Sequence, residues 1–374
     1  MSITLNGDTG ITTPMYNGTI SANAVTPSVS MKNRIINGAM VIDQRNAGAS
    51  VTPTSSAYTL DRWYALFNQA SKFSVQQNAG SVTPPAGFTN YLGVTSTSAY
   101  TVGSTDYLGI VQRIEGYNTA DLGWGTANAK TVTLSFWVRS SLTGTFGGAL
   151  VNNAGDRSYP FTYTISSANT WTQASVTIAG ETTGTWSATN STGIQIFFGL
   201  GVGSTYSGTA GSWASTLYWS ATGATSVVGT NGATFYITGV QLEVGSSATS
   251  FDYRQYGQEL ALCQRYYQQF GNQTGNAGVF GSGYVDGSTQ GRVYSALKVT
   301  MRSAPTVSVS SASHFTIQNN TSTAVGTSFS TYKQTVDSIA FIITSTGAGM
   351  TGGQGTLICD NNTTSAAIYC TSEL

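Results

Sequence analysis

Few residues in this chain could do covalent chemistry. A serine hydrolase of the triad type needs an imidazole as its base, and the 374 residues hold one histidine, His314. It alternates with Thr316 and Gln318 on the polar face of an expected strand, and no nucleophile-elbow sequence exists to serve it. The expectation is therefore a surface histidine. Metal-assisted hydrolysis lacks both imidazoles and acidic clusters, so neither a metal nor a cofactor is expected. The three cysteines, Cys263, Cys359 and Cys370, match no metal spacing and are read as reduced, mostly buried thiols. A glycosidase needs two carboxylates flanking a sugar bond, and the 15 acidic residues leave that reading open. Asp43, Asp61 and Glu243, however, fall at strand ends and Glu259 in a helix, and no short coil repeat of a β-helix is visible.

Binding chemistry is better supplied. Sugars are read by aromatic faces against C–H surfaces and by amide and hydroxyl groups. The chain has 7 Trp, 20 Tyr and 15 Phe beside a Ser-, Thr- and Asn-rich polar complement. Trp186 and Trp213 sit in turn-like contexts, Thr185-Trp186-Ser187 and Ser212-Trp213-Ala214, and Tyr206 lies between glycines. These three are the candidate carbohydrate-contacting residues. Trp137 and Trp171 fall on the polar faces of their strands, where a core or a subunit interface competes with ligand binding. Trp63 is assigned to the core, and the adjacent Asp61 and Arg62 to a structural ion pair.

The elements that must hold these residues are strands. Charged residues make up 8% of the chain and the net charge is zero. Such low charge with abundant aromatics argues for a folded chain with a Ser/Thr/Asn/Gln/Gly surface, which suits strands and turns. Val132, Leu134, Phe136 and Val138 alternate with Thr133, Ser135, Trp137 and Arg139, and similar alternation recurs around Phe161, Val176 and Ile196. Between Thr234 and Val244 the apolar parity shifts from Phe235 and Ile237 to Val240 and Leu242, and Gly239 at the shift marks a β-bulge. The expected architecture is all-β. Residues 1–32 form an N-terminal arm and 33–253 a jelly-roll β-sandwich. A linking helix follows over 254–270, with Leu260, Cys263, Tyr267 and Phe270 on one face and Gly271 as its stop, and then a smaller C-terminal β-sandwich over 271–374. The absence of a basic cluster argues against nucleic acid, and that of a long apolar run against membrane insertion. The N-terminus lacks the features of a signal peptide, so synthesis in a cytoplasm is expected.

Four stretches resemble bacteriophage tail-fibre and tail-associated proteins. They are the opening Ser2–Pro14; Asn33-Arg34-Ile35-Ile36-Asn37-Gly38 through Asn46 with Thr59-Leu60-Asp61-Arg62-Trp63; the strand from Gly232 to Glu243; and Glu259-Leu260-Ala261-Leu262-Cys263-Gln264-Arg265-Tyr266-Tyr267. Within them, Lys130–Val244 resembles jelly-roll carbohydrate-binding modules, without a clear acidic calcium cluster. The resemblance implies a non-enzymatic virion protein, made in the host cytoplasm and carried on the phage tail. It would be a homotrimer that docks on other virion tail proteins through residues 1–32 and meets a host cell-surface glycan. A purely structural virion subunit that binds only phage proteins is the alternative, and a glycan-cleaving enzyme the third.

Overall fold

The computed structural model describes residues 4–6, 10–12, 31–271, 278–346 and 349–374. By packing, the chain divides into Met1–Lys32 and Asn33–Leu374. In the first unit, β1 (Thr4–Asn6) and β2 (Gly10–Thr12) pair antiparallel, with Thr4 opposite Thr12. Apart from Met31 and Lys32, the remainder of the expected arm lies outside the described residues.

The second unit opens with thirteen strands. They are β3 (Ala57–Leu60), β4 (Trp63–Phe67), β5 (Phe73–Gln77), β6 (Leu92–Ser96), β7 (Tyr107–Glu115), β8 (Val132–Ser140) and β9 (Gly144–Asn152), then β10 (Ser158–Ile165), β11 (Thr172–Ile178), β12 (Thr192–Val202), β13 (Ser207–Gly208), β14 (Ser220–Ala221) and β15 (Thr234–Val244). Two sheets face each other, one ordered β10-β9-β12-β7-β4-β3 and the other β11-β8-β15-β6-β5. The alternation in β8 works as read: Val132, Leu134, Phe136 and Val138 are buried between the sheets, and Phe136 meets Tyr163 and Phe198 edge-on at 5.0 and 5.1 Å. Gly239 has φ of 61° where the β15–β8 register slips between Thr238 and Gln241, which is the expected bulge. In β12 the burial goes beyond alternation. Phe197 points away from the core but is buried with Val111, Ala149, Val151 and Trp219, because the connection after β12 folds back over the outer face of the six-stranded sheet.

The helix is shorter than its apolar spacing predicts. α1 runs Tyr256–Gln264, and Tyr267–Gly271 is a strand, β16. The spacing through Phe270 fits either structure locally. Pairing with β24 (Ala367–Thr371), with Tyr267 opposite Thr371, decides for strand. The helix consequently buries Cys263, which packs with Tyr266 in the turn just after it against Ile36 and Ile42, and its buried face excludes Phe270. β24 also pairs with β19 (Thr306–Val309). The other strands are β17 (Val279–Asp286), β18 (Gln290–Ala296), β20 (Phe315–Gln318), β21 (Thr323–Gln334), β22 (Ser338–Ser345) and β23 (Gly355–Asp360). They close into a six-stranded barrel, β17-β18-β22-β21-β20-β23, where the sequence pointed to a sandwich. Val293, Phe315, Phe341, Ile343 and Ile358 belong to its core.

Sandwich, helix and C-terminal strands meet at a buried polar junction built from two of the quoted stretches together with Glu115 and Glu373. Asp61 and Arg62 form the turn between β3 and β4, and they do not pair with each other. With φ of 68°, Arg62 turns to form an ion pair with Glu373 and stacks 3.6 Å from the centre of the Tyr266 ring. Asp61 instead accepts hydrogen bonds from the Gln44 backbone N–H and side-chain amide at 2.7 and 2.6 Å. Arg45 reaches Glu373 at 2.7 Å, while Glu115 accepts from Arg265 and from the Tyr266 hydroxyl, both at 2.6 Å. The Trp63 indole donates to the Asn37 carbonyl at 3.0 Å, deep in the core.

Candidate functional site

Two of the three candidate aromatics converge. Trp186, in the loop from β11 to β12, and Trp213, between β13 and β14, pack edge-to-face with ring centres 5.6 Å apart. Trp124 completes a triad, 4.8 Å from Trp186 and 5.4 Å from Trp213, and Tyr159 of β10 adds a fourth ring 5.2 Å from Trp213. Edge-to-face contacts at these distances place positive ring edges on negative faces. Trp124 is buried, whereas Trp186 and Trp213 are half-exposed and close the rim of the core. Tyr206 lies elsewhere, on the outer face of the six-stranded sheet, edge-on to Tyr107 at 5.5 Å.

The loops are fixed by backbone contacts rather than by the indoles alone. Ser158 and Ala214 exchange backbone hydrogen bonds of 3.1 and 2.8 Å, which tie the Trp213 loop to the start of β10. The Gly125 N–H donates to the Glu181 carbonyl at 2.7 Å. Gly125 also has φ of 83°, and a Cβ there would lie 2.7 Å from the Gly184 carbonyl and 3.1 Å from the Trp186 ring. Only glycine permits this approach. Trp124 went unassigned from sequence, although its setting between Gly123 and Gly125 is the same signal that singled out Tyr206.

The chemistry left to this site is apolar. Each indole N–H is already spent: Trp124 on Lys130, Trp186 on Thr183 and Trp213 on Ala179, at 2.8, 3.0 and 2.8 Å to backbone carbonyls. What remains outward is ring surface flanked by serine and threonine hydroxyls. The cavity beside Trp124, Trp186, Leu122 and Ile194 measures about 60 Å³. That falls far below the several hundred Å³ of an enclosing ligand pocket, so a ligand here would lie on the rings and not inside a cleft.

The two strand tryptophans are also half-buried. Trp171 packs edge-on to Tyr91 at 5.5 Å and donates to the Thr83 carbonyl at 2.9 Å. Trp137 lies against the bulge at Gly239. His314 ends a short 3-10 turn before β20 and is half-buried rather than on the strand. Its Nδ1 lies 3.0 Å from the Ser310 hydroxyl, which also accepts the Ala367 N–H at 3.1 Å. This pair ties a turn to β24. All three cysteines are free thiols, with Cys263 and Cys370 buried and Cys359 half-buried. Among the described residues no group of three or more metal-type side chains comes together, and no helix is long and apolar enough to cross a membrane.

No protein-family model matches the chain, and no curated protein sequence matches it. Among solved structures it is similar to the enzymatically active domain of tailspike protein 4 of bacteriophage CBA120, at 12% identity, 57% of this chain and a TM-score of 0.31. The chain spans 22% of that protein's length. It is also similar to a family 11 carbohydrate-binding module from Clostridium thermocellum, solved with a β-1,3-1,4-mixed-linked tetrasaccharide (12% identity, 53% of this chain, 97% of that one, TM-score 0.27). A tandem pair of family 22 modules from Paenibacillus barcinonensis matches at 10% identity, over 89% of this chain and all of that one, with a TM-score of 0.24.

Proposed function

We propose that the protein is a phage virion component of tail-fibre type that binds a host-surface glycan without cleaving it. It would act as a homotrimer attached to other tail proteins through residues 1–32. The observation that carries the glycan reading is the Trp124–Trp186–Trp213 triad. Its polar N–H groups are internally satisfied and its half-exposed ring surface lies on rigid loops. Preformed aromatic surface of this kind loses little conformational entropy on binding. The phage assignment rests on the four motif stretches. A site without an enclosing pocket binds weakly per copy, on the order of millimolar, and several copies on one particle raise the effective affinity by about 10² to 10⁴.

Trp213→Ala tests the reading. A fully buried aromatic costs about 3–5 kcal/mol on truncation. Because Trp213 is half-exposed, the variant should lose less than this and keep the fold by circular dichroism. Adsorption of particles carrying it should fall far more than binding by the isolated subunit. An unfolded variant would make Trp213 a plug of the core, and unimpaired adsorption by a folded one would place the host contact elsewhere. Light scattering on the purified chain checks the trimer.

A further inference from the structure

The outer surface of the C-terminal barrel carries a groove of about 470 Å³ between β17, β20 and β23, bounded by Ser282, Gln318, Asn319, Asn320, Thr356 and Leu357. That volume is within the range of small-ligand sites. Its lining contains amides, hydroxyls and backbone but no charged side chain. Part of that lining is already fixed. The Asn319 amide donates to the Gln354 side chain at 2.9 Å, and its oxygen accepts the Thr321 and Ser322 N–H groups at 3.0 and 2.7 Å. The Thr356 hydroxyl donates to the Gln318 carbonyl at 2.7 Å. Asn320 and Ser282, by contrast, are exposed, and their side chains have no hydrogen-bond partner among the described residues.

Beside these polar groups lies an apolar row. Strand register puts Ser282 directly between Leu357 on β23 and Tyr294 on β18, which are 41% and 56% exposed. In the next row Tyr284, 48% exposed, stands between Gly355 and Arg292. The Arg292 charge is answered by Asp286 at 2.6 Å. Neutral donors and acceptors next to apolar side-chain faces match a ligand with hydroxyls on its rim and C–H groups on its faces. The barrel is closed, so it offers no free strand edge on which a partner chain could add a strand.

We propose that this groove is a second saccharide site, selective for an uncharged, hydroxyl-rich glycan segment. Asn320 and Ser282 would bond its hydroxyls, and Leu357 and Tyr294 would contact its C–H faces. The inference rests on the glycan-recognition reading only for the class of ligand, since the groove shares no residue with the tryptophan triad.

Gly355 supplies the test. It lines the groove, its φ is ordinary, and a Cβ there meets nothing within 4 Å. Gly355→Trp should therefore fold and fill the groove. The full chain, this variant, Asn320→Ala and Trp213→Ala would be compared on a printed array of neutral oligosaccharides with uronic-acid-bearing and phosphate-bearing ones beside them. The expected result is binding of neutral sugars that falls about tenfold or more in Gly355→Trp and roughly two- to tenfold in Asn320→Ala. Part of that binding should survive in Trp213→Ala. Neutral-sugar binding unchanged by both barrel variants overturns the site, as does its complete absence or a preference for acidic sugars. Binding lost only in Trp213→Ala overturns the groove and leaves the triad reading standing. A drop in solution mass for Gly355→Trp would make this face an interface between copies and overturn the saccharide site.

Discussion

Two buried carboxylates at the junction titrate in opposite directions. Burial pushes Asp61 up to about 6 from 3.8, against the lowering effect of Arg45 and of the two Gln44 donors. Burial would likewise raise Glu115, but hydrogen bonds from Arg265 and Tyr266 outweigh it and hold that carboxyl below its usual range. The signs follow from linkage. Folded Asp61 binds its proton more tightly than unfolded Asp61, so its contribution is fully present below its ordinary 3.8 and is lost as pH rises through about 6. Glu115 contributes above the ordinary carboxylate range and loses that contribution in stronger acid. Acidification from neutral to about pH 4 should relieve up to about 3 kcal/mol at Asp61. Asp61→Asn should remove that part of the pH dependence, measured by urea unfolding at steps across the interval. Identical slopes in parent and variant would sink the assignment. The motif Asp61-Arg62-Trp63 could be picked out from its residues, and Trp63 lies in the core as expected. The partner of Arg62 could not, because Glu373 is brought to it only by the closing of β24 against β16.

Gly239 is the one bulge that parity alone located, since a period-two pattern breaks visibly when one residue is inserted. A Cβ there would sit 2.6 Å from the Phe88 ring at a left-handed φ. Gly239→Ala should therefore cost more than about 1 kcal/mol, whereas Gly257→Ala, in α1 with open space around it, should stabilise by about 0.5–1 kcal/mol. Denaturant midpoints of the two variants, moving in opposite directions, are the check. Leu260 packs on the cluster of Ile36, Ile42, Cys263 and Tyr266, and Arg254, the cation at this end of α1, is already paired with Glu259 at 3.2 Å. Leu260→Asp should destabilise by about 1–3 kcal/mol, because the new charge loses water without gaining a partner. An unchanged melting temperature would refute this. The strands were recoverable from alternation because one face of each meets a core. The stretch from Tyr266 to Phe270 was not, since spacings of three and four satisfy a short helix and the deciding hydrogen bonds come from a strand about a hundred residues later. The burial of Phe197 escaped for a similar reason, as its cover is a connection without periodicity.

The unit that begins at Asn33 is secured at its first residue. The Asn33 side chain accepts from Ile35 and Leu242 at 2.9 and 3.2 Å and donates to Val240 at 3.1 Å, so the sandwich does not depend on the preceding residues for that anchor. A chain starting at Asn33 should melt at the parent temperature yet fail to copurify with particles. Loss of folding would make residues 1–32 part of the core. The all-β character and the helix after the sandwich can be read along the chain from alternation and apolar spacing. The closure of the last strands into a barrel cannot, because closure depends on β23 pairing with both β17 and β20.

The pairing of Arg62 with Glu373 has a consequence in time. The two residues are 311 positions apart, and every strand of the sandwich except β3 lies between them in the order of synthesis. At about 5–20 residues per second the arginine leaves the ribosome roughly 15–60 s before its carboxylate is made. A finished sandwich therefore waits with a guanidinium that is 1% exposed in the native state and still needs water. The junction can dry only when translation reaches Glu373, so a prematurely ended chain keeps this seam wet and open where a proteolytic surveillance system can find it.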